Sequence, residues 1–171
     1  MKERFGLITL KGQPITLTGN TVQEGDAAPD FQVVDNDLKP FSFSSLKDKV
    51  AIITSIPSLD TPVCDLEARR FNQEAAKLGD DVQILVISMD LPFAQKRWCA
   101  AAGVNNVLTL SDHKDASFGT EYGMLIKELR LLARAVFVVD REKTVRYMEL
   151  VKEVGQEPNY ELALDAAKKL L

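Results

Sequence analysis

Apolar positions follow two rhythms along this chain. Short runs of β-branched residues alternate with stretches in which apolar residues recur every three or four positions. Near the start, Phe5–Leu10 and Pro14–Thr18 are rich in strand formers and flank Lys11-Gly12-Gln13, which predicts a β-hairpin within residues 1–20. A polar link leads to a short strand at Phe31–Val34, a turn at Asp35-Asn36-Asp37, and a return at Phe41–Phe43, with Ser44 or Ser45 capping one helical turn. Val50–Ile56 and Val82–Ser88 are nearly unbroken apolar runs, the mark of strands buried on both faces. Between them Thr61–Leu78 has helical spacing and ends at Gly79. Strand, helix and strand of these lengths predict a βαβ unit with parallel strands.

The later chain adds a helix over Leu91–Ala102, a short strand over Asn106–Leu110, a helical stretch over 115–122, and a third buried strand at Ala135–Val139. Val145–Val151 predicts an antiparallel partner for that strand. Gly123–Leu132 fits no single pattern. Pro158-Asn159 introduces a last helix with Tyr160, Ala163, Leu164, Ala167 and Leu171 on one side. The expected class is α/β: a central mixed sheet with helices on both faces. No repeat or linker divides the chain, so residues 1–171 read as one domain.

Composition narrows the function classes. At 171 residues and 46% hydrophobic content, a sizeable core can form without disulfide staples or a structural metal. Twenty-one basic against twenty-five acidic residues leave a formal charge of −4. That balance disfavours nucleic acid or an anionic membrane as partner, since no basic excess exists to neutralise phosphates. No apolar run approaches the ~20 residues of a membrane span, and the N-terminus lacks the pattern of a secretory signal. The expected compartment is the cytoplasm, where the two cysteines do not serve as a plain structural staple.

The candidate chemistry sits in Pro57-Ser58-Leu59-Asp60-Thr61-Pro62-Val63-Cys64, which follows a buried strand and opens a helix. Thr61 suits the N-cap and Pro62 the first helical position, so Cys64 falls in the first turn. There free backbone N–H groups and the positive helix end favour a thiolate. A free thiol titrates near ~8.5. A helix end is worth about 0.3–1 kcal/mol, less than one pKa unit, whereas a nearby cation can add roughly 1–3 units. Arg134, entering the third buried strand, is the leading cation; Arg69 and Arg70 lie off the Cys64 face, and Glu67 opposes a thiolate if it points the same way. A structural reading competes: Cys64, Ala68, Phe71, Ala75 and Leu78 form one apolar face, and a free cysteine is often a small buried hydrophobe. Periodicity alone leaves both readings open. Cys99 lies on the following helix beside Phe93 and Trp98, which read as packing residues, and spacing alone does not establish contact with Cys64.

These segments resemble the thiol peroxidase group of the peroxiredoxin family, atypical two-cysteine type. Pro57, Thr61 and Cys64 match the pattern P-x-x-x-T-x-x-C, followed by Arg69-Arg70-Phe71-Asn72. Asp90-Leu91-Pro92-Phe93-Ala94-Gln95-Lys96-Arg97-Trp98-Cys99, Leu132-Ala133-Arg134-Ala135-Val136 and Glu157-Pro158-Asn159-Tyr160-Glu161 extend the likeness over nearly the whole chain. The resemblance implies a thioredoxin-like fold with an extra N-terminal hairpin. It implies Cys64 as peroxidatic cysteine and Cys99 as resolving cysteine, joined by an intrachain disulfide. Thr61 and Arg134 complete the site, and Pro57 shields it. Hydrogen peroxide and alkyl hydroperoxides are the implied substrates, thioredoxin the reductant, and a homodimer the assembly. The chemistry calls for no metal or flavin cofactor. One stretch departs from the family: Met124–Leu131, where relatives tend to carry a Gly-containing turn.

Other chemistries find less support. A thiol–disulfide oxidoreductase lacks its Cys-x-x-Cys. His113 is the only histidine and reads as part of a solvated turn, which disfavours a metal centre or a serine hydrolase built on Ser58. A non-catalytic interaction module on the same scaffold predicts unreactive thiols.

Overall fold

A computed structural model describes residues 1–171. Strands β1 (Glu3–Leu10) and β2 (Gln13–Thr18) pair antiparallel about Lys11-Gly12. Both turn residues take positive φ, 51° and 79°, the twist that a two-residue hairpin turn demands. There follow β3 (Gln32–Val34), β4 (Pro40–Ser42), β5 (Val50–Ser55), α1 (Pro62–Leu78), β6 (Val82–Ser88), α2 (Pro92–Ala102), β7 (Leu108–Ser111) and α3 (Ser117–Tyr122). The chain ends with β8 (Leu125–Ile126), β9 (Leu131–Leu132), β10 (Ala135–Val139), β11 (Val145–Leu150) and α4 (Tyr160–Lys168).

Seven strands form the main sheet in the order β11-β10-β5-β6-β7-β3-β4. The central β5, β6 and β7 run parallel, and the outer strands join antiparallel, so the sheet is mixed as expected. Strand alternation divides the core. Val50, Ile52, Ile84, Val86, Val136 and Val138 pack with Ala68 and Phe71 of α1 and Ala163, Leu164 and Ala167 of α4. Ala51, Ile53, Leu85, Ile87, Phe137 and Val139 face the other way, into an aromatic cluster. There Phe31 stacks on Phe43 at 5.1 Å and Phe118 on Tyr122 at 4.6 Å. Each such buried side chain contributes about 1.5–3 kcal/mol before the entropy of ordering it is subtracted.

The predicted hairpin is present, and it continues into a second sheet of order β1-β2-β8-β9. That small sheet and the short helix α3 together cover the second face, where the pattern predicts helices. The Gly123–Leu132 stretch therefore resolves as a tight hairpin. The Glu128 carboxylate fixes it by accepting from the Thr16 amide at 3.0 Å and the Thr16 hydroxyl at 2.7 Å. Gly19 seats the small sheet against α3: it takes φ +117°, and a Cβ there would lie 2.4 Å from the Thr120 carbonyl oxygen.

Several local expectations change. The single helical turn occupies Phe43–Ser45, so Ser44 and Ser45 lie within it and do not cap it. Burial of Phe43 against Phe31 starts the turn early. Helix α4 stops at Lys168, and Leu171 is half exposed beyond its buried face. Phe93 is 65% exposed and is not a packing residue, whereas Trp98 does pack against the α1 side of the core. His113 is half-buried, its Nδ1 2.8 Å from the Ser111 hydroxyl, and so is less solvated than a free turn residue. Asp35 behaves as a turn residue, accepting from the amides of Asp37 and Lys39. No helix is long and apolar enough to cross a membrane.

Candidate active site

The parallel strands β5 and β6 end side by side, and the loops that leave them build the site. Asp90, just beyond β6, ties both loops together. One carboxylate oxygen accepts from the Ser58 hydroxyl at 2.7 Å; the other accepts from the Leu59 amide at 2.8 Å and the Ser88 hydroxyl at 2.7 Å. Pro57 is buried in this loop. Thr61 is extended (φ −103°, ψ 148°), and Pro62 opens α1. Thr61 takes the expected N-cap position, but its hydroxyl donates to the Ser58 carbonyl at 2.9 Å and makes no capping bond to the helix. Its backbone carbonyl still accepts the first helical bond, from the Asp65 amide.

Cys64 is the third residue of the helix and has 0% exposure. Its Sγ accepts from Arg134 Nη2 at 3.2 Å. The guanidinium is itself 2% exposed and held on three sides. Nε and Nη2 donate to the Val154 carbonyl at 3.0 and 2.9 Å, and Nη1 donates to Glu67 Oε2 at 2.6 Å. Glu67 Oε1 accepts from the Thr54 hydroxyl at 2.7 Å. A buried chain of polar contacts thus runs from β5 through α1 to the cysteine sulfur.

Charge in this chain is finely shared. Burial pushes the Glu67 carboxyl above the usual range, and the Arg134 charge and the Thr54 hydroxyl pull it back only in part. Burial works to lower Arg134, but Glu67 and Cys64 beside it outweigh that and hold the guanidinium firmly protonated. Glu67 does point toward the cysteine side of α1, as its spacing allowed, and it competes with the sulfur for the same cation. Arg69 and Arg70 turn elsewhere, to Asp65 and to Glu74 and Glu161.

A cleft of about 280 Å³ adjoins this chain. Pro57, Thr61, Val63, Arg134 and Val154 line one part of it, and Leu10, Ile126, Leu129 and Leu131 supply an apolar wall from the small sheet. The N-terminal hairpin and the Met124–Leu131 stretch therefore belong to the site. Sequence spacing had no signal for Leu10, nor for the Val154 carbonyl. Bonds from the Thr16 hydroxyl and amide hold the Glu128 carboxyl below its usual range, so this wall is pinned by a charge at neutral pH.

Cys99 lies in the last turn of α2 and is partly buried. Its Sγ is 3.3 Å from the Thr109 hydroxyl, which donates to Asn36 Oδ1 at 3.0 Å. Both cysteines are free thiols. The structure brings Pro57, Thr61, Cys64 and Arg134 together and leaves Cys99 with partners of its own. The two cysteine segments do meet through neighbours: the Trp98 indole N–H donates to Asp65 Oδ1 at 2.8 Å.

The Redoxin family model matches residues 23–164 of the chain. A thiol peroxidase of Bacillus subtilis (strain 168) is 57% identical over 164 residues, covering 96% of this chain and 98% of the relative. One of Halalkalibacterium halodurans is 56% identical with the same coverage. Among solved structures, a peroxiredoxin-like protein from Aquifex aeolicus superposes with a TM-score of 0.91 at 42% identity, covering 98% of this chain and 99% of that one. A thiol peroxidase from Chromobacterium violaceum shares the fold at a TM-score of 0.82 and 22% identity, over 95% and 93% of the two chains.

Proposed function

The chain belongs to the redoxin family, as a peroxiredoxin of the thiol peroxidase group, and from that premise we propose that Cys64 reduces hydrogen peroxide and alkyl hydroperoxides, that Cys99 resolves it, and that thioredoxin restores both thiols. The observation that carries this reading is the buried Arg134 guanidinium aimed at the Cys64 sulfur beside an apolar cleft.

The Cys64 thiolate attacks the nearer peroxide oxygen in line with the O–O bond. Negative charge grows on the departing oxygen, and the Arg134 guanidinium with the first-turn N–H groups stabilises it. Pro57 excludes water from one side of the sulfur. The Thr61 hydroxyl, turned from the Ser58 carbonyl toward the cleft, holds the substrate hydroperoxide. The leaving oxygen takes a proton and departs as water or an alcohol, and Cys64 becomes a sulfenic acid. Alkyl chains fit against Leu10, Leu129 and Leu131. The weak O–O bond supplies the reactivity.

Cys99 then attacks the sulfenic sulfur to give an intrachain disulfide. Such a bond needs Cα atoms within about 7 Å and sulfurs that face each other, whereas each sulfur here is turned to a partner of its own. The first turn of α1 and the last turn of α2 therefore unwind in each cycle. Thioredoxin reduces the disulfide by exchange. We place the enzyme in the cytoplasm, as one domain over residues 1–171, and as a homodimer. The exposed Leu91 and Phe93 supply apolar surface for the second copy.

The test is peroxide consumption with thioredoxin, its reductase and NADPH. Cys64→Ser abolishes turnover. Cys99→Ser keeps one round of Cys64 oxidation and loses the thioredoxin-driven cycle. Full activity in Cys64→Ser would overturn the assignment.

A further inference from the structure

The residue that follows Cys64 and the residue that precedes Cys99 touch each other. Asp65 accepts from the Trp98 indole through one carboxylate oxygen and from Arg69 Nε, at 3.0 Å, through the other. The Arg69 guanidinium lies over the Trp98 ring, 5.7 Å from its centroid, and also donates to the Ala102 carbonyl at the end of α2. Three side chains thus bridge the first two turns of α1 and the last turn of α2. Successive helical residues point about 100° apart. The bridge therefore takes up the facing sides of the two helices, while the sulfurs turn away, Cys64 to Arg134 and Cys99 to Thr109.

Resting on the reading that Cys99 resolves Cys64, we propose that Asp65, Arg69 and Trp98 form a lock that keeps both cysteine segments helical and their sulfurs apart, and so sets the rate of disulfide formation. These are positioning residues. In the step they govern, the Cys99 thiolate attacks the sulfenic sulfur of Cys64. The S–S bond forms, the S–O bond breaks, and the hydroxide leaves with the proton given up by Cys99 as water. The Cys99 sulfur is oxidised and the sulfenic sulfur reduced, both to the disulfide level. The lock must open first, because the sulfurs cannot meet while Asp65 and Trp98 hold the helices in register. A slower opening gives a second peroxide more time to carry Cys64 on to sulfinic acid.

The experiment adds one equivalent of peroxide to the full-length protein, quenches at intervals, and separates sulfenic, disulfide and sulfinic forms by intact mass and peptide mapping. Trp98→Phe keeps an aromatic ring at this position and removes the indole donor. Asp65→Ala removes the acceptor and keeps the tryptophan, the only one in the chain, as a fluorescent reporter of opening. Losing a hydrogen bond to a charged group predicts disulfide formation roughly tenfold faster in each variant. Sulfinic acid at high peroxide falls accordingly, and Cys64 oxidation in Trp98→Phe is unchanged. The double variant is no faster than the faster single one, because both break the same contact. Disulfide formation at the wild-type rate or slower in both variants overturns the lock alone. Multiplying effects in the double variant also overturn it, since independent loosening would then explain the gain. Absence of any Cys64–Cys99 disulfide in the unaltered protein overturns the resolving role of Cys99 and the lock with it.

Discussion

Cys64 has no exposed surface and meets a full positive charge, whereas Cys99 keeps part of its surface in solvent and meets a neutral hydroxyl. Around Cys64 the partners are themselves fixed: Arg134 donates four hydrogen bonds, two of them to a backbone carbonyl. Cys99 sits in the last turn of α2, which stops at a left-handed Gly103, and its contact is the side-chain hydroxyl of Thr109 on β7. Hydrogen bonds to charged groups contribute about 1.5–3 kcal/mol and neutral ones about 0.5–1.5 kcal/mol. Under the proposed function this difference suits the same side chain to two tasks: Cys64 held still and polarised, Cys99 held loosely enough to travel.

The strongest way to break this contrast is to remove the cation. Arg134→Met lowers the second-order rate of Cys64 oxidation by about 10²–10³-fold, the usual cost of losing one preorganised charge donor. Stopped-flow oxidation in a Cys99→Ser background isolates that step. A loss below about tenfold would mean that the helix end, not the arginine, polarises the sulfur.

Glu67→Gln sharpens the contrast in the other direction. It retains one acceptor oxygen for Arg134, turns an amide N–H toward the Thr54 hydroxyl oxygen, and removes the charge that competes with the sulfur. Cys64 oxidation becomes roughly threefold faster, because the guanidinium then serves the sulfur without a competing carboxylate. Stability carries a second signature. Burial holds the Glu67 carboxyl above its unfolded value, so across that window the folded chain binds more protons there than the unfolded one. The wild type therefore loses stability as pH rises through the window, and the Gln variant does not. The difference in Tm, variant minus wild type, grows from acidic to neutral pH in thermal melts.

The smallest effect belongs to Cys99. Thr109→Val removes its neutral partner, raises the rate of disulfide formation by about twofold, and leaves Cys64 oxidation unchanged. A drop in Cys64 oxidation on the same measurements would show that the two sulfurs are coupled before any peroxide arrives.

Much of this was legible from residue order, for physical reasons. Strands β5 and β6 announce themselves because strands buried on both faces need apolar residues at every position. Pro57, Thr61 and Cys64 could be placed because a proline at the start of a helix fixes its register. What stayed hidden depends on partners distant in sequence. Two-residue strands such as β8 and β9 have no period to read, and it is the Thr16–Glu128 contact that pins their hairpin. Glu67 was visible as a charge near Cys64, but its pairing with a residue 67 positions away was not. Phe93 misled because an apolar residue on a helix need not be inside. The Thr61 hydroxyl misled because it turns to donate to the Ser58 carbonyl instead of accepting from a helix N–H.

Arg134 owes its aim to the carbonyl of Val154, a main-chain atom that every amino acid supplies. Val154 also borders the cleft. Position 154 can thus change its side chain over generations, or under a designer's hand, and recut the mouth of the cleft while the arginine stays on target. Selectivity and reactivity at this rim are inherited through separate atoms of one residue.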